Sequence, residues 1–307
     1  MKITAFFKLV RFKNLVLVAL TQYLLQYLVL EPALNEAQLL PILDKFHFFL
    51  LVFTTVLIAA GGYLVNDILD YEMDVVNKPE KVFVNRVFAK QTVWVFYGIS
   101  VLIGFAIAWY LAFYVKNVPL VSIFPTAVLL LFFYSKSWKK KPLLGNVVVA
   151  VFCAFVAGVV LFAERENFAK MGESGREVTV LFGGYLVFSF LSTLLREIVK
   201  DIEDMEGDRE IGLATLPIRY GVNAAKIWVL GAGASLAFSL LYFLWWLSQM
   251  GKWLSIGFTV ALVLLPLLYL LFLIGKARLK SDYSKASSLA KMLMLSGLIL
   301  LLICKFT

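Results

Sequence analysis

Residues 49–79 read FLLVFTTVLIAAGGYLVNDILDYEMDVVNKP. Eighteen residues without a charge run directly into Asp67, Asp70, Glu72 and Asp74. The first part approaches the roughly 20 helical residues that span a hydrocarbon core of about 30 Å. The second part is what such a core excludes, so a membrane helix here ends in a cluster of carboxylates.

The rest of the chain repeats the apolar half of this pattern. Of 307 residues, 62% are hydrophobic and 16% charged, with 27 Phe, the composition of an integral membrane protein. Apolar runs at 14–30, 48–66, 91–113, 117–134, 145–163, 179–197, 225–248, 252–275 and 289–305 predict about nine transmembrane helices. The expected fold is an all-α bundle forming one domain over 1–307. Gly98, Gly104, Gly183, Gly184, Pro125 and Pro266 lie inside these runs, which bilayer helices tolerate because neighbours recover the freed backbone groups. The first run follows Lys2, Lys8, Arg11 and Lys13, as a signal peptide would. It has no small-residue cleavage site and carries Gln22 and Gln26, so it reads as a retained helix. Cys153 and Cys304 fall in separate apolar runs and indicate neither a disulfide framework nor a metal site.

Alternate loops differ in basic charge. The N-terminus and the loops holding Lys78–Lys90, Lys136–Lys141, Arg196–Lys226 and Lys276–Lys291 carry 22 of the 29 Lys and Arg. The opposite side carries the other seven, so the N-terminus is expected in the cytoplasm and the C-terminus outside. The net charge of +9 is then a topology signal rather than a nucleic-acid footprint. Acids do not follow this rule: 12 of 20 lie in two short stretches, Asp67 to Glu80 and Glu197 to Glu210, both on the cytoplasmic side.

Spacing gives these stretches a chemistry. Asp67, Asp70 and Asp74 stand at i, i+3 and i+7, and on a continuing helix they share one face. Glu197, Asp201, Asp204 and Asp208 stand at i, i+4, i+7 and i+11 and again share a face. Each stripe repels itself beside hydrocarbon unless a cation sits on it. Hard oxygen ligands without His or Cys suit Mg²⁺, which keeps some waters and shares its shell with substrate phosphates. Two such stripes facing each other in a bundle make a site for Mg²⁺ ions bridging a diphosphate, and a diphosphate at an apolar cavity points to an isoprenyl diphosphate.

NDILDYEMDVVNKP resembles the NDxxDxxxDxxNxP signature of UbiA-type intramembrane prenyltransferases. REIVKDIEDMEGDREIGLATLP, residues 196–217, resembles their second aspartate motif, and RFKN (11–14) and YSKSWKKKPLLGN (134–146) also match. Within the superfamily the chain is most similar to digeranylgeranylglyceryl phosphate synthases, which prenylate a glycerol phosphate ether lipid. Two departures stand out. NKPEKVFVNR puts Lys81 where that branch commonly has arginine and lacks its proline-glycine turn, and after Tyr134 the lysines fall at 136, 139, 140 and 141.

The resemblance implies site roles. Asp67, Asp70 and Asp74 would hold one Mg²⁺ and Asp201, Asp204 and Asp208 the other, with Asp67, Asp70, Asp201 and Asp204 central to catalysis. Asn14, Asn66 and Asn77 would bond phosphate oxygens or metal-bound water, and Arg86, Lys136, Lys139 and Lys200 would neutralise the diphosphate. Tyr63, Tyr134 and Tyr185 offer aromatic faces to an allylic cation, and Phe-rich helices would keep water from quenching it. The partners it implies are a prenyl diphosphate and a lipophilic acceptor, in the cell inner or plasma membrane.

Other features carry structural readings. Lys139 to Lys141 suit anionic head groups or topology alone. His47, the single histidine, lies at the outer edge, Trp245, Trp246 and Trp253 suit an interfacial belt, and 164–177 is a polar outer loop. An aromatic acceptor for quinone, haem or chlorophyll synthesis is the alternative enzyme reading, and a cation-coupled transporter the alternative class. Against the transporter, the acids cluster at one face and not at the midplane.

Overall fold

The computed structural model describes residues 2–77, 80, 82–116 and 118–306. Lys78, Pro79 and Lys81, and the side chain of Asn77, lie outside what is described. Among the described residues the regular structure is helical, apart from an isolated bridge between Val84 and Phe88.

Helix α1 (Lys2–Leu9) precedes α2 (Phe12–Leu24), which continues through a π-helical turn (Leu25–Leu30) into α3 (Glu31–Glu36). Then come α4 (Lys45–Leu69), α5 (Tyr71–Asn77), α6 (Lys90–Tyr114), α7 (Val118–Lys136), α8 (Leu144–Ala163) and α9 (Arg165–Phe168). The 38-residue α10 (Glu173–Glu210) is followed by α11 (Leu216–Tyr220), α12 (Val222–Gln249) and α13 (Trp253–Thr259). A second π-helical turn (Val260–Leu264) leads into α14 (Leu265–Lys276), and α15 (Lys280–Phe306) ends the fold. Eight helical stretches among the described residues are long and apolar enough to cross a membrane, with Val121–Lys136 a shorter apolar ninth. Each expected span falls on a helix. Several run further than hydropathy suggested, because backbone hydrogen bonding continues where apolar character stops.

The helices pack as two compact units. The first comprises Met1–Tyr23, Pro41–Trp138 and Phe162–Arg165. Here α4 packs on α6 and α7. It starts at Asp44, whose carboxylate accepts from the Phe46 and His47 N–H groups, both at 2.9 Å, an N-cap. The His47 contacts foremost hold Asp44 below the usual carboxylate range. At the other end of α4, Leu64 and Ile68 join Leu9, Val10, Leu15 and Val93 in a buried cluster, which leaves Asp67 on another face.

The second unit comprises Leu24–Leu40, Lys139–Leu161 and Glu166–Thr307. Its centre is α10, packed on α12 and α15. Leu195, Ile198, Val199 and Ile202 bury one face with Val229, Leu236, Leu267 and Leu270. The α15 backbone comes so close that a Cβ on Gly297 would stand 2.1 Å from Phe188. At 1.5 Å per residue α10 is roughly 57 Å long, so its acidic third extends past a hydrocarbon core of about 30 Å. It stops at Gly212 (φ 73°), where left-handed backbone lets the N–H of Leu213 return to the Asp208 carbonyl at 2.9 Å.

Candidate active site

In the first unit the acid stripe crosses a helix break. Asp70 caps α4 with φ −90° and ψ −3°, and α5 begins at Tyr71. The helical hydrogen bonds persist through the kink, from Asp70 N–H to the Asn66 carbonyl at 2.9 Å and from Asp74 N–H to the Asp70 carbonyl at 2.8 Å. The stripe therefore keeps its order with a bend at its middle residue. Asn66, Asp67, Asp70 and Asp74 are half-buried, whereas Glu72 between them is exposed. Asp67 Oδ1 accepts from the Arg11 guanidinium at 3.1 Å. The same guanidinium lies 4.7 Å over the Tyr63 ring, and Asn14 Nδ2 donates to the Tyr63 hydroxyl at 3.4 Å.

In the second unit the stripe lies on unbroken helix. Glu197, Asp201, Asp204 and Asp208 are half-buried on the side of α10 away from its apolar face, while Lys200, Glu206, Arg209 and Glu210 are exposed. Asn146, from the start of α8, donates its Nδ2 to Asp201 Oδ2 at 2.8 Å. Glu197 pairs with Arg196 beside it. The Lys140 carbonyl accepts from Ala214 N–H at 3.3 Å, which ties the short 3-10 turn holding Lys139 (Trp138–Lys140) to the loop after the stripe.

The remaining expected residues are more dispersed. Tyr134 is half-buried near the end of α7 and Lys136, its last residue, is exposed. Arg86 is exposed on a turn whose Asn85 has φ 58° and accepts from Lys90 N–H at 3.0 Å. Lys200 follows its stripe on the exposed side of α10. The Asn77 side chain lies outside the described residues.

Two contact residues carry no role in the sequence reading: Arg11 and Asn146. The signal was present, since both lie in the RFKN and PLLGN segments and Asn14 and Asn146 each occupy the third position of their helix. Their partners lie 56 and 55 residues away, a distance that helical periodicity does not bridge.

The donor set fits a hard divalent ion of limited protein ligation. Among the described residues no three His, Cys, Asp or Glu side chains converge into a ready-made cage. Carboxylates spaced along one helix face supply part of a shell, and Mg²⁺ takes the remainder from water and phosphate oxygens.

The chain is similar to known proteins over most of its length. A model of the UbiA prenyltransferase family matches residues 33–296. A digeranylgeranylglyceryl phosphate synthase of Sulfurisphaera tokodaii is 31% identical over 231 residues, 74% of this chain and 73% of that protein. Other archaeal synthases of the same name align over 65% to 56% of their own length, less than two thirds. Among solved structures, that of a digeranylgeranylglyceryl phosphate synthase superposes with a TM-score of 0.66 at 24% identity, covering 99% of this chain and 98% of the other. An Archaeoglobus fulgidus UbiA homologue bound to DMAPP and Mg²⁺ superposes with a TM-score of 0.57 at 16% identity, covering 96% and 98%. At these identities the structural likeness establishes the fold.

Proposed function

This chain belongs to the UbiA prenyltransferase family, and from that premise we propose that it transfers a geranylgeranyl group from its diphosphate to a geranylgeranylglyceryl phosphate-like ether lipid, with Mg²⁺. The observation that carries this reading is the pair of half-buried aspartate stripes, each with a hydrogen-bond donor from the start of an earlier helix on its leading aspartate or on the tyrosine before it. The transporter alternative falls with the family assignment. The ether-lipid acceptor is supported by the likeness to archaeal synthases of that name.

In this scheme Asp67, Asp70 and Asp74 hold one ion and Asp201, Asp204 and Asp208 the other. Bound Mg²⁺ supplies Lewis-acid neutralisation of the departing diphosphate. Asn146 fixes the Asp201 carboxylate by donating to Oδ2, a support that a carboxylate holding Mg²⁺ would use. Asn66 and Asn77 bond phosphate oxygens, and Lys139, Lys200, Lys136 and Arg86 neutralise the charge left over. Tyr134 and Tyr185 present ring faces to the allylic cation, and the Phe-rich helices keep water from it. The excess of basic residues on the loops beside both stripes supports a cytoplasmic site.

The test is product analysis. Purified protein with Mg²⁺ and geranylgeranyl diphosphate is offered geranylgeranylglyceryl phosphate and aromatic acceptors side by side, and the lipids are read by mass spectrometry. The doubly prenylated ether lipid is expected, with none formed in excess chelator. A prenylated aromatic product alone, or full turnover without metal, contradicts the proposal.

A further inference from the structure

We propose that Arg11 is a positioning residue shared between Asp67 and substrate: its guanidinium contends with metal for Asp67 Oδ1 and transfers to the diphosphate when metal and substrate bind together. This rests on the metal-diphosphate reading above.

Four observations point there. The Arg11 guanidinium lies 3.1 Å from Oδ1, an oxygen of the carboxylate that would hold the metal ion. It also lies 4.7 Å over the ring of Tyr63, one turn earlier on α4, so it has a platform to rest on when it leaves the carboxylate. The Arg11 side chain is 45% exposed against 19% for Asp67, which lets the cation swing without opening the core. The backbone beneath it is anchored. Leu9, Val10 and Leu15 are buried on either side, and the Arg11 carbonyl accepts from Asn14 N–H at 2.8 Å.

The position itself adds weight. Arg11 breaks α1 from α2 with φ 52°, a left-handed conformation that costs an L-residue more than glycine. A glycine would make the same turn at no steric cost, so the side chain is what the position uses. A planar guanidinium matches phosphate oxygens with two parallel hydrogen bonds, which a carboxylate already engaged by a metal no longer offers it.

The signature is a pair of opposite changes, which loss of a merely structural contact does not produce. On the full purified chain, Mn²⁺ binding is followed by electron paramagnetic resonance, and binding of geranylgeranyl S-thiolodiphosphate is measured with Mg²⁺ present. Arg11→Gly, which suits the backbone, should bind Mn²⁺ alone roughly two- to fivefold more tightly, the scale of an exposed ion pair. It should bind the thiolodiphosphate on the order of 10- to 100-fold more weakly, the scale of hydrogen bonds to a charged group. Arg11→Lys keeps the charge without the fork and should move both affinities the same way by less. Mn²⁺ affinity that falls or stays unchanged in Arg11→Gly while depending on Asp67 overturns the role of Arg11 alone. Mn²⁺ binding that Asp67→Asn leaves untouched overturns the metal assignment and this proposal with it. A thermal melt of each variant separates either result from misfolding.

Discussion

Asn146 is 7% exposed and places its amide 2.8 Å from Asp201 Oδ2, closer than the 3.1 Å between Arg11 and Asp67. A group that fixes a ligating carboxylate is worth about 10- to 100-fold in metal affinity or activity. Asn146→Ala should therefore lower prenyl transfer by that factor with the fold retained, as read by steady-state rate and thermal melt together; an unchanged rate removes Asn146 from the site. At this scale the sequence carried one kind of information well. Asp67, Asp70, Asp74 and Asp201, Asp204, Asp208 could be read as faces because local spacing determines which side of a helix a residue takes. Arg11 and Asn146 lie in matching segments but took no role from spacing, because their contacts are to residues more than fifty positions away.

Among the elements, α10 shows how hydropathy misplaces an end. The apolar run stops at 197, yet the helix continues to Glu210, since its charged third keeps one buried face of Ile198, Val199 and Ile202. The opposite error occurs at Asp70, where continuous helix was expected and a kink divides α4 from α5. The π-helical turns Leu25–Leu30 and Val260–Leu264 left no mark in periodicity, and α1 was too short for a membrane-span window. Packing on α10 gives a test of these assignments. Gly297→Val sets a branched side chain where even a Cβ meets Phe188 at 2.1 Å. Overpacking of this kind costs about 1–3 kcal/mol, so the detergent-solubilised variant should melt several degrees lower. Gly183→Ala, on α10 itself with nothing within 4 Å of the added carbon, should melt close to the parent protein. Equal melting of the two variants contradicts the α10–α15 contact.

For the molecule as a whole, the helical membrane fold was legible because apolar length alone specifies spanning helices, and we propose its orientation from 22 basic residues on one set of loops against seven on the other. A cysteine introduced at Ser137 should label only from the cytoplasmic side, and one at Ser174 only from outside; the reverse pattern inverts the topology. The proposed function makes both stripes necessary to one reaction, and single-turnover prenyl transfer by Asp67→Asn, Asp201→Asn and the double variant tests it most directly. Each single variant should lose about 10²-fold or more in the chemical step, since each removes stabilisation of charge developing on the leaving group. The double variant should then be little slower than either single, because groups that act together are strongly non-additive. A near-normal rate in Asp201→Asn, or losses that simply multiply in the double variant, would mean that the stripes serve separate ends.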